Sequence, residues 1–319
     1  MPTDYEQILE RIEAKRAILF LGAGSTVLCR KSDGRYGLTG YGLAKEILQQ
    51  LVGPKKLLGI PDERLPNLME AAEYFQGNHP GQRTALDEFV QARLRGLQPT
   101  LGHYLATSFP WKAVVTTNYN TVAEDAWHEA SNHGFCASEA IPIRSDKDIA
   151  EFAGETSKIR IYKPHGCVNH QASPERRMVL TSQDYALSEE IRGGMYKAIR
   201  SLAKSSTTVF VGYSLADYTF RNLYYRLYLD LADWSHRCYS IAPIDPPILF
   251  EWKSKAMEKM NTKLLNTTFD AFMLHLTKTR GRLHPELRKR TTSSWNSVRR
   301  ANVDYLTGLT KGQFEKLPG

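Results

Sequence analysis

Asn118 and His165 are the residues of this chain whose types and settings best suit chemistry on a small molecule. Each follows a run of strand length. Ala113-Val114-Val115-Thr116-Thr117 precedes Asn118, and Lys158-Ile159-Arg160-Ile161-Tyr162-Lys163 precedes Pro164-His165-Gly166. An imidazole can take a proton from water or from a sugar hydroxyl near neutral pH. A carboxamide transfers no proton there, but it orients a water or a hydroxyl with both a donor and an acceptor. The plainer roles are a histidine that caps a loop and an asparagine that closes a strand-end turn. Both residues at strand ends in one chain favour the chemical roles.

The surrounding runs follow one rhythm. Five apolar runs end in Gly22-Ala23-Gly24-Ser25, Asn118-Tyr119-Asn120, His165-Gly166, Gly212-Tyr213-Ser214 and Pro243, and helical patterns separate them. That alternation predicts an α/β fold, a Rossmann-like doubly wound parallel sheet of about six strands. In such a sheet the strand ends share one edge, where the ligand crevice forms. Met178-Val179-Leu180-Thr181 reads as a further short strand, and Leu264 to Phe269 as the last. Helices are expected over Asp4 to Lys15, after a cap at Ser182, and over Leu215 to Asp230. Residues 41–105 form a helical insertion punctuated by Pro54, Pro61, Pro66, Pro80 and Pro99, which could cover the site.

Glycines at a strand end let the backbone turn tightly and approach a ligand. A helix starting near Ser25 would aim free N–H groups at a phosphate. Two glycine turns and few carboxylates suit a dinucleotide, with the pyrophosphate at Gly22 to Ser25 and a ribose or second phosphate oxygen over Gly212-Tyr213-Ser214. The GxGxxG fingerprint with a later acid is absent, which disfavours a hydride-transferring dehydrogenase.

Composition narrows the class. The chain has 319 residues, 42% hydrophobic and 24% charged, the profile of a globular protein. It contains no run of the roughly 20 apolar residues that a membrane helix needs, and no secretory pattern at Met1-Pro2-Thr3. Cys29, Cys136, Cys167 and Cys238 are scattered without a CxxC pair, which argues against a paired-cysteine zinc site and for a reducing cytoplasm. The net charge of +8 resides in the C-terminal part: residues 251–319 hold 14 Lys/Arg against 6 Asp/Glu, and the first 250 residues hold 28 of each. Lys278, Arg280, Arg282, Arg288, Lys289, Arg290, Arg299 and Arg300 are opposed only by Glu286, so this part could dock an acidic partner or a nucleic acid, or stand as a solvated surface.

Four motifs in order, Gly22-Ala23-Gly24-Ser25, Thr117-Asn118-Tyr119-Asn120, Lys163-Pro164-His165-Gly166 and Gly212-Tyr213-Ser214-Leu215-Ala216-Asp217, resemble those of the sirtuin (SIR2) superfamily. More closely, they resemble the SIR2-like domains of bacterial anti-phage defence systems. The resemblance spans about Ile18 to Phe269. It implies NAD as the ligand, Asn118 and His165 as the catalytic pair, and Gly22, Ala23, Gly24, Ser25, Thr117, Asn120, Gly212, Tyr213, Ser214 and Asp217 as residues around NAD. The four-cysteine zinc module of deacetylases has no counterpart, so no zinc is expected, and a zinc-free deacylase ranks last among the readings. Asn120 stands where the family usually has Asp. The expected function is NAD glycohydrolysis in a gated effector of anti-phage defence, controlled by homo-oligomerisation, a partner protein or a nucleotide signal, among which the sequence does not choose. The alternative is a non-catalytic sensor that binds NAD or ADP-ribose. The expected organisation is an NAD-binding domain over 1–275 and a basic helical extension over 276–319.

Overall fold

The runs without polar interruption become the buried centre of a sheet. In the computed structural model, which describes residues 2–61, 64–78, 83–169, 174–213, 236–244, 246–283 and 285, every residue of β1 (Ala17–Leu21) and β5 (Thr207–Val211) is buried. β2 (Ala113–Thr116) lies on the other side of β1, followed outward by β4 (Ile159–Tyr162) and β3 (Ala140–Ile143); β6 (Cys238–Ile241) and β7 (Thr262–Leu265) extend the sheet beyond β5. The order is β3-β4-β2-β1-β5-β6-β7 and every pairing is parallel. All seven C-terminal ends therefore lie along one edge.

Successive strand residues face opposite sides, and both sides are covered. Leu19, Leu21, Val114, Ile161 and Val209 pack with α1 (Asp4–Glu13), α5 (Leu101–Thr107), α6 (Val122–Asn132) and α11 (Phe269–Arg280), through Ile8, Leu105, Trp127 and Phe272. Ile18, Phe20, Val115, Tyr162 and Phe210 face the other way, onto Met195 and Ile199 of α9 (Gly193–Lys204). α7 (Asp146–Glu151), α8 (Ser182–Ile191) and α10 (Pro247–Glu258) complete the set, with α2 (Gly40–Val52), α3 (Leu68–Asn78) and α4 (Arg83–Leu94) in the insertion. This is a Rossmann-like α/β fold. Among the described residues no helix is long and apolar enough to cross a membrane.

The insertion is bolted to the strand-end loops. Leu43, Ile47, Ala71, Phe75, Leu86 and Val90 share one core with Tyr119, Val122, Val168, Met178 and Leu180. Gln91 donates to Val168 O at 2.5 Å, and Arg83 reaches both Asp184 at 2.6 Å and Met178 O at 2.5 Å. α5, read from sequence as part of the insertion, packs instead in the main core against α11.

Several expected elements change. Met178 to Thr181 is not a strand, because its backbone groups are already taken. Val179 N donates to His165 O, Val179 O accepts from the Tyr119 hydroxyl, Met178 O from Arg83, and Leu180 N donates to Asp184. Its apolar side chains reflect burial under the insertion. The seventh strand is β3, whose Pro142 suits an edge position. The last strand is Thr262–Leu265, and Phe269 already starts α11. The cap of α8 is Thr181, paired with Asp184 in a capping box, rather than Ser182. The expected helix at Leu215 to Asp230 lies outside the described residues.

Candidate functional site

β2 stops because Thr116 diverts its hydroxyl into the turn. Thr116 Oγ1 donates to Leu21 O at 2.9 Å and accepts from Asn118 N at 3.1 Å. The Asn118 side chain is then fixed by its donors, Nδ2 reaching Gly22 O at 3.0 Å and Ser25 Oγ at 3.3 Å. Oδ1 accepts from no described residue. A carboxamide held by its nitrogen presents its acceptor oxygen ready for use.

β4 ends in a β-turn over Lys163-Pro164-His165-Gly166, closed by Gly166 N donating to Lys163 O at 3.0 Å. Proline at the second position and glycine at the fourth suit such a turn. Gly166 has φ +82°, and a Cβ there would run into Arg177 O. Arg192, 2% exposed, secures the segment by donating to Pro164 O at 2.7 Å, to Glu175 O at 3.0 Å and to Arg177 O. The His165 ring meets Tyr185 edge-on at 5.5 Å, and neither ring nitrogen has a hydrogen-bond partner among the described residues. Burial, aided by the Arg192 charge, pushes the imidazole down to about 3. His165 is thus a neutral ring at physiological pH, and a weak base while it stays buried beside Arg192.

Register relates the two residues. Val115 pairs with Tyr162 on adjacent parallel strands, and Asn118 and His165 each lie three residues beyond that pair. Neighbouring strands are about 4.8 Å apart. Two further bonds join the loops: Val168 N donates to Tyr119 O at 2.8 Å, and Lys163 Nζ to Asn120 O at 2.5 Å. No hydrogen bond links the Asn118 and His165 side chains themselves.

The glycine turn differs from expectation. Only a four-residue 3-10 turn, Ala23–Thr26, follows β1. Gly22 N donates to Val211 O, Gly24 N to Gly212 O and Ser25 N to Gly22 O. The Ala23 N–H alone in this stretch of four has no partner among the described residues. The glycines let two chain segments touch: a Cβ on Gly24 would lie 2.7 Å from Gly212 Cα, and Gly212 has φ +71°. Thr117 Oγ1 and the Tyr213 hydroxyl are 2.8 Å apart, and Tyr213 also donates to Leu21 O at 3.1 Å. Asn120 accepts from Val122 N at 3.3 Å at the start of α6 and reaches Thr26 Oγ1 at 3.5 Å. Ser214 and Asp217 lie outside the described residues.

Sequence reasoning missed three charged residues, Lys163, Glu124 and Arg192. Their side chains are buried or nearly so, whereas such residues ordinarily face water. The visible hint was Lys163 at the end of a strand otherwise bound for the interior. A concavity of about 350 Å³ lies elsewhere, between α6 and β3, lined by Glu124, Asp125, Trp127, His128 and Glu139 among others. It includes neither Asn118 nor His165. Among the described residues no cluster of three or more His, Cys, Asp or Glu is arranged to hold a metal ion, and all four cysteines are free thiols.

Asn118 Oδ1 and the His165 ring are thus left without partners among the described residues, at matching register on neighbouring strand ends. The glycine turn offers a phosphate one open amide. No match is found among the curated proteins. Residues 112–265 match the family model described as the SIR2-like domain, a span that takes in Asn118, His165 and Gly212 and begins after Gly22 to Ser25. Together with the seven-stranded parallel sheet, this match supports a SIR2-like domain over residues 112–265 and points to NAD-related activity.

Proposed function

We propose that the chain cleaves NAD with water, giving ADP-ribose, nicotinamide and a proton, with Asn118 and His165 as the catalytic pair. NAD brings a cationic leaving group to the reaction, so its cleavage passes through a transition state with oxocarbenium character, as in glycoside hydrolysis. Asn118 Oδ1 orients the attacking water or a ribose hydroxyl. His165 accepts the proton, being neutral before substrate arrives. The Ala23 N–H serves a phosphate oxygen. The observation that carries this reading is the pair of unpartnered groups at matching register on β2 and β4. Gating, a role in anti-phage defence, and action in the cytoplasm rest on the motif resemblance. The test is a time course of nicotinamide and ADP-ribose release from NAD by the purified chain.

A second reading, a sensor that binds NAD or ADP-ribose intact, is favoured by two observations. Asn120 is committed to α6 and Thr26, and the glycine turn spends three amides on its own packing. Binding of NAD without nicotinamide release over hours selects the sensor.

A further inference from the structure

Lys163 is the most deeply buried charge of the site, with its side chain 0% exposed. Its Nζ donates to Asn120 O at 2.5 Å and stands 3.0 Å and 3.2 Å from the two carboxylate oxygens of Glu124. Glu124 sits in the first turn of α6, and Arg144 approaches it at 3.5 Å. Lys163 precedes His165 by two residues, and Asn120 follows Asn118 by two. The ammonium therefore bridges the turn that presents the imidazole and the turn that presents the carboxamide.

A buried ion pair is weak evidence for stability, since an apolar pair of equal volume often serves as well. What an apolar pair cannot supply is a directed donor to one chosen carbonyl. We infer that Lys163, held by Glu124, is a positioning residue that sets the spacing between Asn118 and His165. Its polar contacts go to Asn120 O and Glu124, and to neither the Asn118 nor the His165 side chain. The inference rests on the proposed reading of these two residues as the catalytic pair.

The test uses the full chain with K163M, the double variant K163M/E124M, and E124Q. K163M alone leaves the Glu124 charge buried with Arg144 as its remaining cation, so it should melt well below the parent. The double variant removes both charges and should regain most of that loss. It still lacks the donor to Asn120 O. Three quantities are read: melting temperature, kcat and KM for NAD, and the Asn118 side-chain amide signals in NMR spectra, assigned with N118A. The double variant should melt near the parent, keep KM within about threefold, and lose about 10² in kcat, the scale that an ångström of misplacement costs. Its Asn118 amide signals should shift or broaden. E124Q keeps the lysine and should lose about tenfold in kcat. If neither Lys163 variant folds, E124Q decides by the same readings.

Folded variants with parental kcat and unmoved Asn118 signals would overturn the inference. Nicotinamide release absent from the parent would overturn the hydrolase reading instead. The Asn118 signals then decide the positioning role alone: moved signals sustain it, unmoved signals sink it.

Discussion

The two sides of the strand-end edge are built in opposite ways. At the ends of β1 and β5 nearly every polar group is answered from within: Gly22, Gly24 and Ser25 donate to backbone carbonyls, and Thr117, Tyr213 and Leu21 O form one cluster. At the ends of β2 and β4 the backbone is equally well tied, by Thr116, Lys163 and Arg192, yet Asn118 Oδ1 and both His165 ring nitrogens lack partners among the described residues. The first side is a weld between two chain segments. The second is a frame that holds reactive groups open. A glycine-rich turn at a strand end is therefore not by itself a ligand cradle. Its glycines can be there for another stretch of backbone.

That contrast breaks most readily at the weld. Gly212→Ala puts a Cβ into Ser25 N at φ +71°, and Gly24→Ala puts one 2.7 Å from Gly212 Cα. Gly212→Ala should destabilise by about 3–4 kcal/mol, combining backbone strain with overpacking, and Gly24→Ala by about 1–3 kcal/mol through overpacking alone. Urea denaturation midpoints check this, and a change under about 1 kcal/mol would mean that the turn has room to spare.

The frame should respond through turnover more than through folding. Asn118→Ala removes the donations to Gly22 O and Ser25 Oγ, so stability should fall by about 1–2 kcal/mol. Nicotinamide release should fall by about 10²- to 10³-fold, as when a single oriented polar group is lost from a reacting site. A variant that loses stability alone would move Asn118 into the weld.

Acid separates the two sides further: among the described residues burial pushes two imidazoles down to about 3, His165 and His103, the latter capping α5 deep in the main core, and lowers His275 as well. An unfolded imidazole titrates near pH 6.5, so between there and pH 3 the unfolded chain binds protons that the native chain refuses. Stability is thus fully present above pH 6.5 and is lost as pH falls below it, by at most about 1.4 kcal/mol per pH unit for each imidazole. Denaturation at pH 7.5 and 5.5 should show that slope, and His165→Ala should reduce it. The same depression places no His165 limb near pH 6.5 in the kcat/KM profile, which reports the free protein. An acid limb at 6–7 would indicate a solvated ring.

The smallest effect is expected at Asn120. Asn120→Asp keeps the acceptor for Val122 N and places a carboxylate at the start of α6, a stabilisation of about 0.3–1 kcal/mol. It exchanges a donor to Thr26 for an acceptor, which offsets part of that gain. A melting shift of a few degrees at most is the expected result.

Much of this arrangement was legible in the residues. β1, β2 and β5 are continuous apolar or β-branched runs, and a parallel sheet covered on both faces calls for such runs. The two site residues could be picked out because strand-to-polar transitions at Thr117-Asn118 and Pro164-His165 are abrupt. Met178 to Thr181 misled because an apolar run reports burial and not hydrogen bonding; its carbonyls and amides go to Arg83, Tyr119, His165 and Asp184. Lys163 and Glu124 were missed because their burial depends on each other, a long-range fact with no periodic signature. The amides of the glycine turn could not be counted as spent until Gly212 was known to lie against them.

Asn118 and His165 are proposed to act together on the nicotinamide ribose of NAD. Nicotinamide release from saturating NAD by the parent chain, Asn118→Ala, His165→Ala and the double variant tests it most directly. The account predicts turnover by the parent, a loss of about 10² to 10⁴ on removing the His165 ring, and a double variant little worse than His165→Ala because the pair works as a unit. Parental turnover in both single variants, or NAD bound and left intact by the folded parent, would contradict it.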